Sequence, residues 1–99
     1  MAFEIKEKDK EKIIGLISIM VPHAKIYLFG SRARGTNGEW SDIDLALDAG
    51  AALSTSVVGE LNAIMEATHL PYKVEILDFH LVTPAMQESI IKDRKIWKS

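Results

Sequence analysis

The chain has 99 residues, 47% hydrophobic and 26% charged, a balance that fits one folded domain spanning 1–99 and excludes a disordered segment. Its net charge of −2 supplies no general basic field, so no long nucleic acid is expected as a partner. It has no cysteine, which excludes a disulfide framework, a thiolate zinc site and a cysteine nucleophile, and fits a cytoplasmic setting.

The opening Met1-Ala2-Phe3-Glu4-Ile5-Lys6 leads into charge and not into an apolar run, so no secretory signal is expected. No apolar stretch nears the roughly 20 residues that span a bilayer. The first periodic segment is helical: Ile13, Leu16, Ile17, Met20 and Val21 share one face, residues 6–12 form solvated first turns, and Pro22 ends the pattern. Gly15 inside it costs about 1 kcal/mol against Ala and marks a point of close packing.

Lys25–Phe29 is a short β-prone run closed by Gly30. Residues 42–48 alternate strictly, with Ile43, Leu45 and Leu47 on one face and Asp42, Asp44, Ala46 and Asp48 on the other. Leu53, Val57, Val58, Leu61, Ile64 and Met65 give a second amphipathic helix, and residues 72–79 read as the third strand. Thr83 as N-cap and Pro84 at the first helical position start a last helix that runs to about Arg94. Residues 95–98 form a short edge strand or a frayed tail. The expected architecture is α/β (α+β), a small mixed sheet with helices packed on one face. Met20, Met65 and Met86 read as core.

The chemistry sits between the first two strands. Gly30 lets the backbone turn sharply, and the amides after it, with the Ser31 hydroxyl, form a nest for phosphate oxygens. Arg32 and Arg34 are placed to meet further phosphate oxygens. Asp42 and Asp44, two apart on a strand, face one spot. Two carboxylates about 4 Å apart repel by roughly 4 kcal/mol at an effective dielectric of about 20. A hard cation such as Mg²⁺, which also takes triphosphate oxygens, removes that penalty.

Gly30-Ser31, a ten-residue spacer and Asp42-Ile43-Asp44 together resemble the hallmark of the minimal nucleotidyltransferase family, within the DNA polymerase β-like nucleotidyltransferase superfamily. The longer patterns Gly-Ser-x-Ala-Arg-Gly and Ser-Asp-Ile-Asp-Leu are present too, and the resemblance covers nearly the whole chain. It implies a nucleotidyltransferase using two Mg²⁺ ions and ATP or another nucleoside triphosphate. Asp42 and Asp44 would be metal ligands and Glu75 the third carboxylate, nearest the attacking hydroxyl. Gly30 and Ser31, with Arg32 or Arg34, would hold the phosphates. The sequence departs from the family at Glu75, where an aspartate is usual; Asp78, three residues on, points to the opposite face and cannot replace it.

The resemblance further implies a helical HEPN partner encoded nearby, an RNase toxin that receives AMP on a tyrosine, with this chain as antitoxin. Ile90, Ile91, Ile96 and above all Trp97 are the expected contact surface. Two other readings stand beside it: a binding-only antitoxin, and the nucleotide-binding half of a two-chain small-molecule transferase. Trp40 either stacks on a base or packs on its own domain. His23, His69 and His80 share no ligand spacing and read as surface or helix-end residues, and Asp48 lies beyond reach of the aspartate pair.

Overall fold

The computed structural model describes residues 3–99; Met1 and Ala2, at the head of the stretch read for a signal, lie outside the described residues. One mixed sheet holds β1 (Lys25–Phe29), β2 (Ile43–Asp48), β3 (Val74–Asp78) and β4 (Lys95–Lys98) in the order β3-β2-β1-β4. β1 is antiparallel to both β2 and β4, while β2 and β3 run parallel. Residues 95–98 are therefore an edge strand and not a tail. A parallel pair needs a crossover, and helix α3 (Thr55–Ala67) supplies it between β2 and β3. The expected α/β class with a mixed sheet is borne out.

Helix α1 (Glu7–Met20) buries Ile13 and Ile17, four apart on one face, and ends where the Val21 amide returns to the Ile17 carbonyl at 2.8 Å, just before Pro22. Gly15 meets no atom within 4 Å of where a side chain would begin, so it is not the close-packing point expected of it. Ser54 caps α3 by accepting the Ser56 amide at 3.3 Å. Thr83 caps α4 (Pro84–Asp93) by accepting the Met86 amide at 3.2 Å, with Pro84 in the first turn as expected.

The layering departs from helices on one face. α1 and α3 cover the face that carries Ile26, Leu28, Ile43, Leu45, Leu47 and Ile76. α4 lies against the other, where Ile90 and Met86 pack on Tyr27, Phe29, Ala46 and Phe79. The reason is in β1: four consecutive residues, Ile26 to Phe29, are buried, so the strand needs cover on both sides. α4 thus shares its face with Asp44 and Glu75.

The expected contact surface is corrected as well. Ile90 is core, and Trp97 packs against the α1–α3 core with the Lys10 ammonium 5.6 Å from its ring centre. Ile91 and Ile96 remain exposed. Among the described residues no helix is long and apolar enough to cross a membrane.

Candidate active site

β1 ends at Phe29, the register partner of Asp44 on β2, and the chain then turns through Gly30 into the short helix α2 (Ser31–Arg34). Gly30 holds φ +75° and ψ −158°, backbone that side-chain-bearing residues avoid. A Cβ there would stand 2.5 Å from Asp44 Oδ2. The turn is therefore seated directly against the carboxylate. The Gly30 carbonyl accepts the Ala33 and Arg34 amides, both at 3.1 Å. The leading amides of α2, Ser31 and Arg32, precede any intrahelical acceptor, as at every helix start.

Across β2 from this turn, Asp44 is the register partner of Glu75 on β3. Partners on parallel strands point to the same side, so the two carboxylates share a face. Asp42 stands just before β2, exposed, and near enough for its charge to act on Asp44. Burial raises the Asp44 pKa above its ordinary value, the Glu75 and Asp42 charges raise it further, and Arg34 pulls it partly back. The structure thus brings Asp42, Asp44, Glu75 and the Gly30–Ser31 turn together.

The two arginines part company. Residues two apart on a helix point about 200° apart. Arg34 faces the carboxylates, half-exposed, with its Nη1 3.5 Å from Asp93 on α4. Arg32 is buried: Nε donates to the Ser41 carbonyl at 2.9 Å, Nη2 to Glu39 at 3.0 Å and Nη1 to Phe3 at 3.1 Å. Its guanidinium also lies 4.9 Å from the Tyr72 ring centre. Three of the five N–H donors of Arg32 are held by backbone carbonyls and the side chain is buried, so Arg34 is the arginine of the pair that faces the carboxylates. Arg32 instead fixes the loop that delivers Asp42.

A second polar group lies farther along the same face. Asp48 accepts from Tyr27 Oη at 3.1 Å, from the Gly50 amide at 3.0 Å and from His80 Nε2 at 2.6 Å. Burial alone would raise the Asp48 pKa, but the bonds from His80, Gly50 and Tyr27 outweigh it and hold the carboxylate low. His80 is thus half-buried and paired, not the surface residue its spacing suggested; only the parity of Asp48 hinted at this. Asp78 turns to the opposite face, as expected, and accepts the Leu53 amide at 2.6 Å and the His80 amide at 2.9 Å. Trp40 is mostly exposed and leans on Tyr72, ring centres 6.1 Å apart.

Among the described residues no three acidic or histidine side chains are gathered closely enough to hold a metal unaided. The donor set nonetheless suits one. Mg²⁺ is usually held by one or two carboxylates together with substrate phosphates. Here a partly buried carboxylate is destabilised by two like charges and offset only by Arg34, and the Gly30 turn is seated against it.

The sequence matches the polymerase beta nucleotidyltransferase family over residues 11–99. The chain belongs to that family. It is 30% identical over 95 residues to the protein adenylyltransferase MntA of Shewanella oneidensis, covering 94% of this chain and 68% of that one. It is 27% identical over 89 residues to the probable protein adenylyltransferase MntA of Haemophilus influenzae, covering 90% and 78%. A crystal structure of a toxin–antitoxin with AMP-PNP superposes with a TM-score of 0.77 at 29% identity, covering 90% of this chain and 72% of that one. The MntA–HepT toxin–antitoxin superposes with a TM-score of 0.72 at 25% identity, covering 93% and 71%. The resemblance read from Gly30-Ser31 and Asp42-Ile43-Asp44 is borne out, and the chain is a nucleotidyltransferase.

Proposed function

We propose that this nucleotidyltransferase moves AMP from ATP onto a tyrosine hydroxyl of a helical HEPN partner, in a Mg²⁺-dependent reaction, and thereby acts as its antitoxin. The observation that carries the reading is the seating of the Gly30 turn against Asp44, with Glu75 opposite on β3. Relatives named protein adenylyltransferase support the donor and the reaction, and the neighbouring toxin–antitoxin structures support the partner class.

Asp42 and Asp44, with Glu75 as third carboxylate, would hold Mg²⁺, which when bound neutralises the triphosphate and eases departure of pyrophosphate. The Gly30–Ser31 amides and the Ser31 hydroxyl bind the β- and γ-phosphates. Arg34 exchanges its loose contact with Asp93 for a phosphate oxygen. The Glu75 carboxylate accepts the acceptor's hydroxyl proton as its oxygen bonds to the α-phosphorus. Catalysis here is positioning and electrostatics, the usual economy of nucleotidyl transfer.

The test uses ATP labelled at the α-phosphate. Label on the HEPN protein supports the reading, label on a small molecule favours a two-chain small-molecule transferase, and no label with the toxin still blocked favours occlusion.

A further inference from the structure

Asp42 is exposed and stands outside the β2 ladder, so its place is set by the backbone on either side of it. On the far side the Ile43 amide donates to the Lys73 carbonyl at 2.8 Å, an anchor in the sheet. On the near side the anchor is Arg32, which holds the Ser41 and Glu39 carbonyls at 2.9 and 3.0 Å. The loop between them closes on itself, with the Gly38 amide donating to Ser41 Oγ at 2.9 Å.

Arg32 also reaches back to the start of the described chain. Its Nη1 donates to the Phe3 carbonyl at 3.1 Å, and Asn37 Nδ2 donates to the same oxygen at 2.8 Å. Asn37 Nδ2 further reaches the Gly38 carbonyl at 3.0 Å. One carbonyl of the N-terminal segment therefore joins the helix that carries Arg32 to the loop that ends at Asp42. Packing does little to hold it there. Phe3 is 48% exposed, and a cavity of about 240 Å³ lies between residues 3–5, Asn37 and Trp97. Within residues 3–5 only Ile5 packs on the core.

We propose that residues 3–5 form a strap that positions Asp42 for Mg²⁺ through the Phe3 carbonyl, with Asn37 as the positioning residue that grips it. The inference rests on the transferase reading above only in taking Asp42 as a metal ligand. A ligand that has lost its supporting hydrogen bonds must be ordered by the metal itself, and that ordering is subtracted from binding. The strap's bonds run to Arg32 and Asn37 and not to the Gly30–Ser31 turn or Arg34, so the metal-free hold on a triphosphate does not depend on it.

Asn37→Leu, of similar shape but without the donors, and a chain shortened to begin at Ile5 break the grip from its two ends. Calorimetry measures Mg²⁺ binding with a saturating non-hydrolysable ATP analogue, and analogue binding without metal, at a temperature where every variant is folded. Each variant should bind Mg²⁺ roughly tenfold more weakly, the low end for loss of a partner behind a metal ligand, with metal-free analogue affinity unchanged. Combined, the two changes should cost less than the product of their separate effects, because they break one linkage. In the metal-free chain, hydrogen exchange at the Gly38 amide should quicken in both variants. Wild-type Mg²⁺ affinity in either variant, or an equal fall in metal-free analogue binding, would overturn the strap. A wild type that takes up no Mg²⁺ with the analogue would overturn the metal-dependent reading and the strap's role with it, so the wild-type titration keeps the two failures apart.

Discussion

Gly30 and Asp44 compete for the same space: one carbon added to Gly30 would stand 2.5 Å from Asp44 Oδ2. Gly30→Ala should lose about 1–3 kcal/mol from backbone strain alone, read by urea unfolding, and should displace the carboxylate and abolish metal-dependent triphosphate binding. Gly35→Ala is the control. Gly35 also has positive φ, at +76°, but meets open space, so it should lose stability while leaving binding nearly intact.

Asp44 and Asp48 push acid stability in opposite directions. Burial and its acidic neighbours raise the Asp44 pKa above the ordinary 3.8, so the folded state binds the extra proton. Metal-free stability should therefore fall as pH climbs from about 3.8 through the folded value. Asp48 is held low, so its contribution is present above 3.8 and is lost as pH falls through its folded value. Unfolding curves across a pH series should show Asp44→Asn removing the first slope and Asp48→Asn reducing the second.

Arg32 and Arg34 should separate stability from binding. Arg32→Ala leaves the Ser41 and Glu39 carbonyls without a side-chain donor, while the Phe3 carbonyl keeps Asn37 Nδ2 at 2.8 Å; hydrogen bonds from a charged group are worth about 1.5–3 kcal/mol each, so a loss of several kcal/mol is expected in thermal unfolding. Arg34→Ala removes a half-exposed contact at 3.5 Å, of the kind worth about 0–1 kcal/mol. Calorimetry should show the Arg34 variant losing triphosphate affinity. Equal effects of the two variants on both properties would contradict this division.

These contrasts trace what was legible in the chain. The Asp42–Asp44 alternation and the Gly30 turn could be read directly, because two-residue periodicity and glycine punctuation are local signals. The pairing of Asp44 with Glu75 came from the family resemblance, since register between strands thirty residues apart leaves no local trace. The different fates of Arg32 and Arg34 were available in principle from their spacing, once residues 31–34 are taken as helix. The Tyr27–Asp48–His80 cluster draws on three elements and could not be read. α4 on the second sheet face was signalled by the unbroken apolar run of β1, which a one-sided layer does not explain.

Glu75 keeps the family's charge on a longer arm. Glu75→Asp should keep or raise transfer, whereas Glu75→Gln should lower it by about 10²–10⁴, the usual contribution of a positioned acid–base group. Single-turnover rates at saturating ATP test this. A Gln variant as fast as wild type would show that the position carries no catalytic charge.

If Asp42 and Asp44 hold the metal–triphosphate on which transfer depends, removing both charges removes transfer. The most direct measurement is the intact mass of the HEPN partner after incubation with this chain, ATP and Mg²⁺, alongside the Asp42→Asn/Asp44→Asn variant. Wild type should add the mass of AMP less water to the partner at a tyrosine. The double variant should add none while still folding, and it should lose the gain in melting temperature that metal and triphosphate together give wild type. If wild type forms the complex without adding mass, and the double variant blocks the toxin equally well, neutralisation is by occlusion and the account is wrong.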